Sequence, residues 1–210
     1  MKSYCPLCRG LGDLYYNQPN RKFYLCRRCS GLFVPSVFLP DSQKEKDRYL
    51  EHNNDVNDPG YRSFVMPMVH AVMKEFGAEN TGLDFGAGTG PVVSTILKEN
   101  NYQVELYDPF FYPHIHPLEK TYDFVISCEV IEHFFKPREE FQLMKSLLKP
   151  HGKLFCMTGL YNNSIDFSNW HYKNDFTHVF IYQRETMEWI QENIGFSGMN
   201  IQGNLIIFSP

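Results

Sequence analysis

A glycine-rich stretch at residues 81–90 has the residue types of a nucleotide-binding turn. It reads TGLDFGAGTG, a short apolar segment followed by glycines at alternate positions, and Pro91 then opens a helical pattern. Gly86, Gly88 and Gly90 allow positive φ angles and bring a ligand close to bare main chain, and the missing N–H of proline suits the first turn of a helix. The stretch therefore predicts a strand, a tight turn and a helix N-terminus that bind a nucleotide.

A carboxylate ends the next predicted strand. Asp108 closes the segment QVELYD, twenty residues beyond Gly88. A strand–helix–strand unit places an acid at this distance beside the ribose of a bound nucleotide. A 2′-phosphate would be repelled there, so we expect a ligand with a free ribose. An aspartate that precedes a proline is also a common turn residue, and this interpretation stays open.

Four of the six cysteines form two C-x-x-C pairs near the N-terminus, Cys5 with Cys8 and Cys26 with Cys29. Reduced thiolates at this spacing converge on one tetrahedral zinc ion more readily than they form disulfides in a reducing compartment. Strand-like segments flank a turn at residues 17–21, which is the pattern of a zinc ribbon too small to fold without metal. We expect one zinc site, with two disulfides or a redox C-x-x-C as the alternatives.

Three histidines lie where a general base could act. His133 follows the predicted strand TYDFVISCEV, and His171 and His178 lie in the segment NWHYKNDFTH beyond the next strand. Loops that follow the carboxyl ends of the strands cover the ligand site of an open α/β sheet. An imidazole in such a loop has a suitable pKa for taking a proton from a hydroxyl. The alternative is that these histidines only brace an aromatic loop.

The remaining pattern predicts an α/β fold. Strands alternate with helices from residue 81 onward, which indicates a mostly parallel sheet with helical crossovers. The last two strand-like segments are separated only by Gly203. They must pair antiparallel, because a parallel return needs a crossover of a dozen or more residues.

The composition excludes several classes of protein. A chain of 210 residues with 43% apolar residues is large enough for one packed domain and a small appendage. It has no run of about eighteen apolar residues and no apolar run of a signal peptide, so we expect a cytoplasmic protein without a membrane partner. With a net charge of −4, the protein as a whole has no positive potential that would attract a polyanion such as a nucleic acid, although residues 1–33 are basic.

The chain resembles class I S-adenosylmethionine (SAM)-dependent methyltransferases, particularly the small-molecule type similar to the ubiquinone-biosynthesis O-methyltransferases. The resemblance covers roughly residues 45–210 and includes the terminal hairpin. It rests on LDFGAGTG at 83–90, YDP at 107–109, YDFVISCEVIEHF at 122–134 and LLKPHGKLF at 147–155. It implies a Rossmann-like, seven-stranded sheet with an antiparallel last strand. Since only residues 109–121 remain for the third strand and its helix, we expect that strand to be short or missing.

The same resemblance implies where SAM is bound. Asp84, Gly86 and Gly88 would line its methionine portion, and Cys128 and Glu129 the opposite wall. Phe110 and Phe111 could stack on the adenine in place of the short or missing strand. The full predicted set comprises Asp84, Gly86, Ala87, Gly88, Asp108, Pro109, Phe110, Cys128 and Glu129.

We therefore predict three segments: a zinc ribbon at residues 1–34, a linker with capping helices at 35–80, and a SAM-dependent methyltransferase domain at 81–210. The predicted activity is methyl transfer to an oxygen of a small-molecule acceptor. One alternative is an RNA methyltransferase that contacts RNA through basic residues within 9–28. Others are a NAD-dependent Rossmann enzyme and a SAM-binding module without catalysis.

Overall fold

The computed structural model describes residues 3–51 and 55–210. Within them the chain forms two β-sheets and five α-helices. The strands are β1 (Ser3–Tyr4), β2 (Leu11–Gln18), β3 (Arg21–Cys26), β4 (Leu32–Phe33), β5 (Thr81–Phe85), β6 (Gln103–Tyr107), β7 (Tyr122–Cys128), β8 (Leu148–Met157), β9 (Phe180–Ile181), β10 (Gly198–Gln202) and β11 (Leu205–Ser209). The helices are α1 (Ser42–Glu51), α2 (Pro59–Glu75), α3 (Val92–Glu99), α4 (Pro137–Ser146) and α5 (Arg184–Ile190).

The larger sheet has the strand order β10-β11-β8-β7-β5-β6. Strands β6, β5, β7 and β8 are parallel, while β11 runs antiparallel to both β8 and β10. The predicted α/β class and the reversed last strand are therefore confirmed. Six strands are described rather than the full set of seven. Between β6 and β7 the chain forms an isolated bridge from Asp108 to Tyr112 and a 3-10 helix at His116–Glu119, in the place of the missing third strand.

Apolar residues cover both faces of this sheet, as a parallel sheet requires. Phe124 and Ile126 of β7 pack with α2 and α3 on one face. Val125 of the same strand packs on the other face with Phe141 of α4 and with α5. The long apolar runs in the sequence arise from this burial on two sides.

The N-terminal residues form a second sheet with the order β1-β2-β3-β4-β9. Its last strand comes from far along the chain: Leu32 pairs with Ile181 and Phe33 with Phe180. The sheet that carries the cysteine pairs is therefore completed by the C-terminal part of the chain. The division of the chain at residue 34, with a zinc ribbon as a separate domain before it, stays a prediction.

Several helix ends differ from the predicted ones. The sequence predicts a helix from Arg138 to Leu148, but α4 ends at Ser146 because Leu148 already pairs with Tyr122 in the sheet. It predicts a last helix from Arg184 to Asn193, but α5 ends at Ile190 and a π-helical turn follows at Gln191–Gly195. It also predicts a short helix around Ser42 to His52; α1 is described as far as Glu51, and His52 lies outside the described residues. No helix in the described ranges combines the length and the apolar character needed to cross a membrane.

Candidate active site

A cavity of about 750 Å³ lies at the carboxyl ends of β5, β6 and β7. This volume is in the range of pockets that bind small molecules and cofactors. All nine predicted cofactor-binding residues line it: Asp84, Gly86, Ala87, Gly88, Asp108, Pro109, Phe110, Cys128 and Glu129. The predicted set is therefore one contiguous surface.

The glycine turn has a positive φ angle, which favours glycine, at two positions. Gly86 has φ +88° and Gly88 has φ +60°. A Cβ atom on Gly86 would also lie 2.4 Å from the Val130 side chain, so no other residue fits there. Gly90 does not have a positive φ, which corrects the expectation for the third glycine. The turn thus presents bare main chain to the cavity.

Asp108 holds this turn against the loop that follows β6. Its Oδ2 accepts a hydrogen bond from Gly88 N (3.0 Å), and its Oδ1 accepts from Phe110 N (2.8 Å) and Phe111 N (3.0 Å). Because a carboxylate has about four acceptor sites, about one is left for a ribose hydroxyl. Asp108 therefore has an organising role as well as the predicted place beside a ribose.

Two further carboxylates in the cavity are held in unusual environments. Burial raises the pKa of Asp84 to about 6, although Ser94 Oγ donates a hydrogen bond to it (2.5 Å). Burial and the nearby charge of Glu132 raise the pKa of Glu129 to about 9. Among the described residues, no group donates to the buried Oε1 atom of Glu129. A buried polar atom of this kind is a place where a ligand can bind.

Glu132 is a central residue of the site that the predicted set omits. It is fully buried in the 3-10 helix Ile131–His133 that follows β7. Its Oε1 accepts from the Tyr172 hydroxyl (2.6 Å) and its Oε2 from Thr158 Oγ1 (2.9 Å). The sequence signal is present, because two glutamates and a histidine follow a buried strand at positions 129, 132 and 133. Only the fold reveals the two hydroxyl partners.

His133 and His178 meet beside Glu132. Their ring centroids are 4.8 Å apart, and both rings line the cavity. His133 Nδ1 lies 3.0 Å from the carbonyl of Thr177, and His178 Nδ1 lies 2.7 Å from that of Tyr172. A carbonyl can only accept, so both Nδ1 atoms carry hydrogen and both Nε2 atoms keep a lone pair. Burial lowers the pKa of His133 to about 4 and also lowers the pKa of His178, so both rings are neutral at pH 7.

His171 does not line this cavity. It is exposed and lines a second, more open cavity with Arg48 and Phe176, which His178 also lines from its other side. Of the three histidines predicted from the sequence, the structure therefore brings together His133 and His178.

The segment that carries His178 is held by the N-terminal sheet. Arg21, at the start of β3, is buried and donates to the carbonyls of Lys173 (3.0 Å), Asp175 (2.6 Å) and His178. Hydrogen bonds from a charged donor are among the stronger ones in proteins. The tip of the cysteine-bearing hairpin therefore fixes one wall of the cavity.

Helix α1 covers the outer side of the cavity. The Tyr49 ring centroid lies 5.2 Å from that of His133 and 5.8 Å from that of Phe110. One residue earlier, Arg48 Nη2 pairs with Asp175 Oδ2 at 2.8 Å. The segment predicted as a linker thus contributes directly to the site.

The four N-terminal cysteines form a second candidate centre. All four are buried and unpaired by disulfides, and their Sγ atoms lie within 4.8 Å of one another. One sulfur of each pair accepts from a backbone N–H: Gly10 N donates to Cys8 Sγ (3.3 Å), and Arg28 N donates to Cys26 Sγ (3.4 Å). This convergence is the geometry of a four-thiolate metal site rather than of two disulfides.

A family model described as a methyltransferase domain matches residues 59–200. The chain belongs to this family. It is therefore a SAM-dependent methyltransferase, as the sequence predicts, and the match argues against the NAD-dependent alternative. None of the curated proteins matches the chain.

Two solved methyltransferases show how the family fold is shared. The 1,6-didemethyltoxoflavin N1-methyltransferase of Burkholderia thailandensis, solved with S-adenosylhomocysteine, has a TM-score of 0.57 at 11% identity, over 93% of this chain and 97% of that one. An O-methyltransferase family protein from the same species has a TM-score of 0.50 at 15% identity, over 79% of this chain and 68% of that one. At these identities the likeness concerns the fold alone.

The contacts of Arg21 generate a prediction about the His178 segment. In Arg21→Ala, we expect amide hydrogen exchange in residues 171–178 to be about tenfold faster, because the charge-assisted hydrogen bonds to three carbonyls are lost. Exchange in residues 81–90 should not change. Mass spectrometry of peptic fragments measures both regions.

The control is Lys22→Ala, the neighbouring residue on the same strand, whose side chain makes none of these bonds. If Arg21→Ala and Lys22→Ala give the same protection in residues 171–178, the hairpin does not brace this segment.

Proposed function

We propose that the chain transfers a methyl group from SAM to a hydroxyl oxygen of a small-molecule acceptor. One observation carries this proposal: a single cavity joins the glycine turn to the neutral imidazole pair of His133 and His178. A cofactor on the turn and an acceptor at the imidazoles would then be neighbours in one cavity.

The residues of the cavity fit SAM. Gly86 and Gly88 leave the main chain bare, Asp108 keeps an acceptor site for a ribose hydroxyl, and Glu129 has a buried oxygen in need of a donor. When bound, SAM supplies a methyl group whose bond to sulfur breaks as the acceptor oxygen forms its bond to carbon.

The charge of the cavity supports the same donor. Seven carboxylate residues line it against one lysine, Lys136, among the described residues: Glu45, Asp84, Asp108, Glu129, Glu132, Glu140 and Asp175. Even with Glu129 neutral at pH 7, as its raised pKa requires, the remaining excess of negative charge attracts the positive sulfonium and ammonium groups of SAM.

The chain's own residues would align the acceptor and receive its proton. Methyl transfer needs the attacking oxygen in line with the methyl group and needs water kept from the reacting atoms. We propose that the acceptor hydroxyl binds at the Nε2 side of His133 and His178 and loses its proton there. His171, which lies in the second cavity, has no part in this proposal.

The walls of the cavity favour a flat, compact acceptor over RNA. Rings of Tyr49, Phe110 and Tyr172 face it. A lining rich in carboxylates repels phosphate groups. In the basic segment, Arg21 is buried and Arg27 pairs with Asp13, so two of the charges proposed for RNA contact are already engaged.

We also propose that Cys5, Cys8, Cys26 and Cys29 hold a structural zinc ion, so that residues 1–34 form a zinc ribbon. Buried, convergent thiolates with backbone donors support this assignment. The ribbon would then brace the cavity wall through Arg21, with residues 35–80 as a capping segment and residues 81–210 as the catalytic domain.

The proposed function predicts separate effects on cofactor and acceptor. We expect S-adenosylhomocysteine to bind at one site per chain by calorimetry. His178→Ala should keep this affinity within about twofold. In a panel of phenols, catechols and anilines, turnover of the hydroxyl acceptors should fall about 100-fold, because the acceptor loses the group that receives its proton.

His151→Ala is the matched control, since His151 is exposed at the start of β8. Equal losses of S-adenosylhomocysteine binding and turnover in His178→Ala would show that His178 shapes the cofactor pocket instead. Turnover of anilines alone would contradict transfer to oxygen.

The zinc assignment predicts that a cysteine variant loses both its bound zinc and the folded structure of the ribbon. We expect one zinc per purified chain by elemental analysis, and less than about a tenth of that in Cys26→Ser. Because zinc binding and ribbon folding are one equilibrium, residues 3–34 should also lose their exchange protection. A metal-free chain with the ribbon fully protected would refute the assignment.

A further inference from the structure

A second cavity lies against the active-site cavity. Its volume of about 520 Å³ is within the range of pockets that bind small molecules. Helix α1 lines it with Arg48 and Glu51, and the segment before β9 lines it with residues that include His171 and Phe176. None of these four residues lines the active-site cavity. The second cavity is therefore a surface to which the proposed function gives no role.

The two cavities share one wall. Tyr172, Asp175 and His178 line both of them. His178 is one of the two residues proposed to receive the proton of the acceptor. A group bound in the second cavity is therefore separated from the reacting hydroxyl by a single layer of side chains.

One part of this wall is fixed, and another part is held by a surface helix. Tyr172 is fixed because its hydroxyl donates to Glu132 Oε1 (2.6 Å) and lies 2.9 Å from Thr158 Oγ1. Asp175 is held from the other side by Arg48 of α1, whose Nη2 lies 2.8 Å from Asp175 Oδ2. None of the residues of α1 is buried, and elements with little buried surface open most readily. A shift of α1 that separates Arg48 from Asp175 would join the two cavities.

The lining of the second cavity suits an uncharged, flat group. Its charged side chains pair with one another, since Arg48 Nη1 lies 3.1 Å from Glu51 Oε2 and Arg48 Nη2 contacts Asp175. A charged ligand would have to compete with these pairs. Phe176 is 42% exposed although it is apolar, and it lines the cavity together with the imidazole of His171. An aromatic ring that packs against these two side chains removes apolar surface from water.

We propose that the second cavity binds a second, uncharged ring of the methyl acceptor, while the ring that carries the hydroxyl lies beside His178 in the active-site cavity. This inference rests on the proposed function. The acceptor is then a molecule of two rings, of which one is methylated, and its linker crosses the shared wall at the pair of Arg48 and Asp175. Phe176 and His171 determine which acceptor is bound and take no part in the transfer of the methyl group.

The test compares two phenols that differ only in a second ring, para-ethylphenol and para-(phenylethyl)phenol. Calorimetry measures their binding to the full chain saturated with S-adenosylhomocysteine. We expect the two-ring phenol to bind at least about tenfold more tightly, because its second ring is removed from water. In Phe176→Ala and in His171→Ala this advantage should fall to about threefold or less, because the ring loses the side chains that it contacts. Tyr4→Ala is the matched control and should keep the advantage, since Tyr4 is 68% exposed on β1 and lines neither cavity.

Two variants are used so that a folding defect in one does not decide the result, and circular dichroism verifies each fold. The inference is overturned if neither phenol binds, if both bind equally tightly, or if the advantage of the second ring survives in both Phe176→Ala and His171→Ala. Methyl transfer from SAM to the two phenols is measured on the same samples. Transfer to para-ethylphenol without an advantage of the second ring refutes the ring site and leaves the proposed function intact. Tighter binding of the two-ring phenol without methyl transfer contradicts the proposed function and leaves the ring site intact.

Discussion

The buried carboxylate of Glu132 is the constraint around which the site is built. Removing a carboxylate from water is costly unless its oxygens find partners. The hydroxyls of Thr158 and Tyr172 meet this need, and the Glu132 carbonyl also accepts from Val179 N at 2.9 Å. These bonds tie the end of β7 to the end of β8 and to the segment that carries His178.

The other elements of the fold set the shape of the cavity around Glu132. The parallel strands bring the glycine turn and the Glu132 helix to one edge of the sheet, and Asp108 ties the turn to the loop after β6. The opposite wall is a largely irregular loop before β9, and the N-terminal sheet holds it by pairing with β9 and through the hydrogen bonds of Arg21. The N-terminal sheet therefore helps to form the wall of the cavity.

Features that depend on residues close together in the sequence can be predicted from the sequence alone. The glycine turn, the cysteine pairs and the terminal hairpin depend on residues close together along the chain, and all three lie in the structure where their spacing predicts. Arg21 and Glu132 could not be found in this way. Arg21 contacts the carbonyl of a residue 157 positions away, and the hydroxyl partners of Glu132 are 26 and 40 positions away. Such contacts exist only once the sheets have assembled, so the composition of a loop does not indicate them.

The proposed function requires that the cofactor and the acceptor oxygen meet beside His133 and His178. The most direct measurement is a crystal structure of the chain with S-adenosylhomocysteine and a hydroxyl acceptor. We expect the cofactor sulfur to face the two histidines from the glycine turn, with the acceptor oxygen between them. S-adenosylhomocysteine bound with its sulfur facing away from the histidines would contradict this claim.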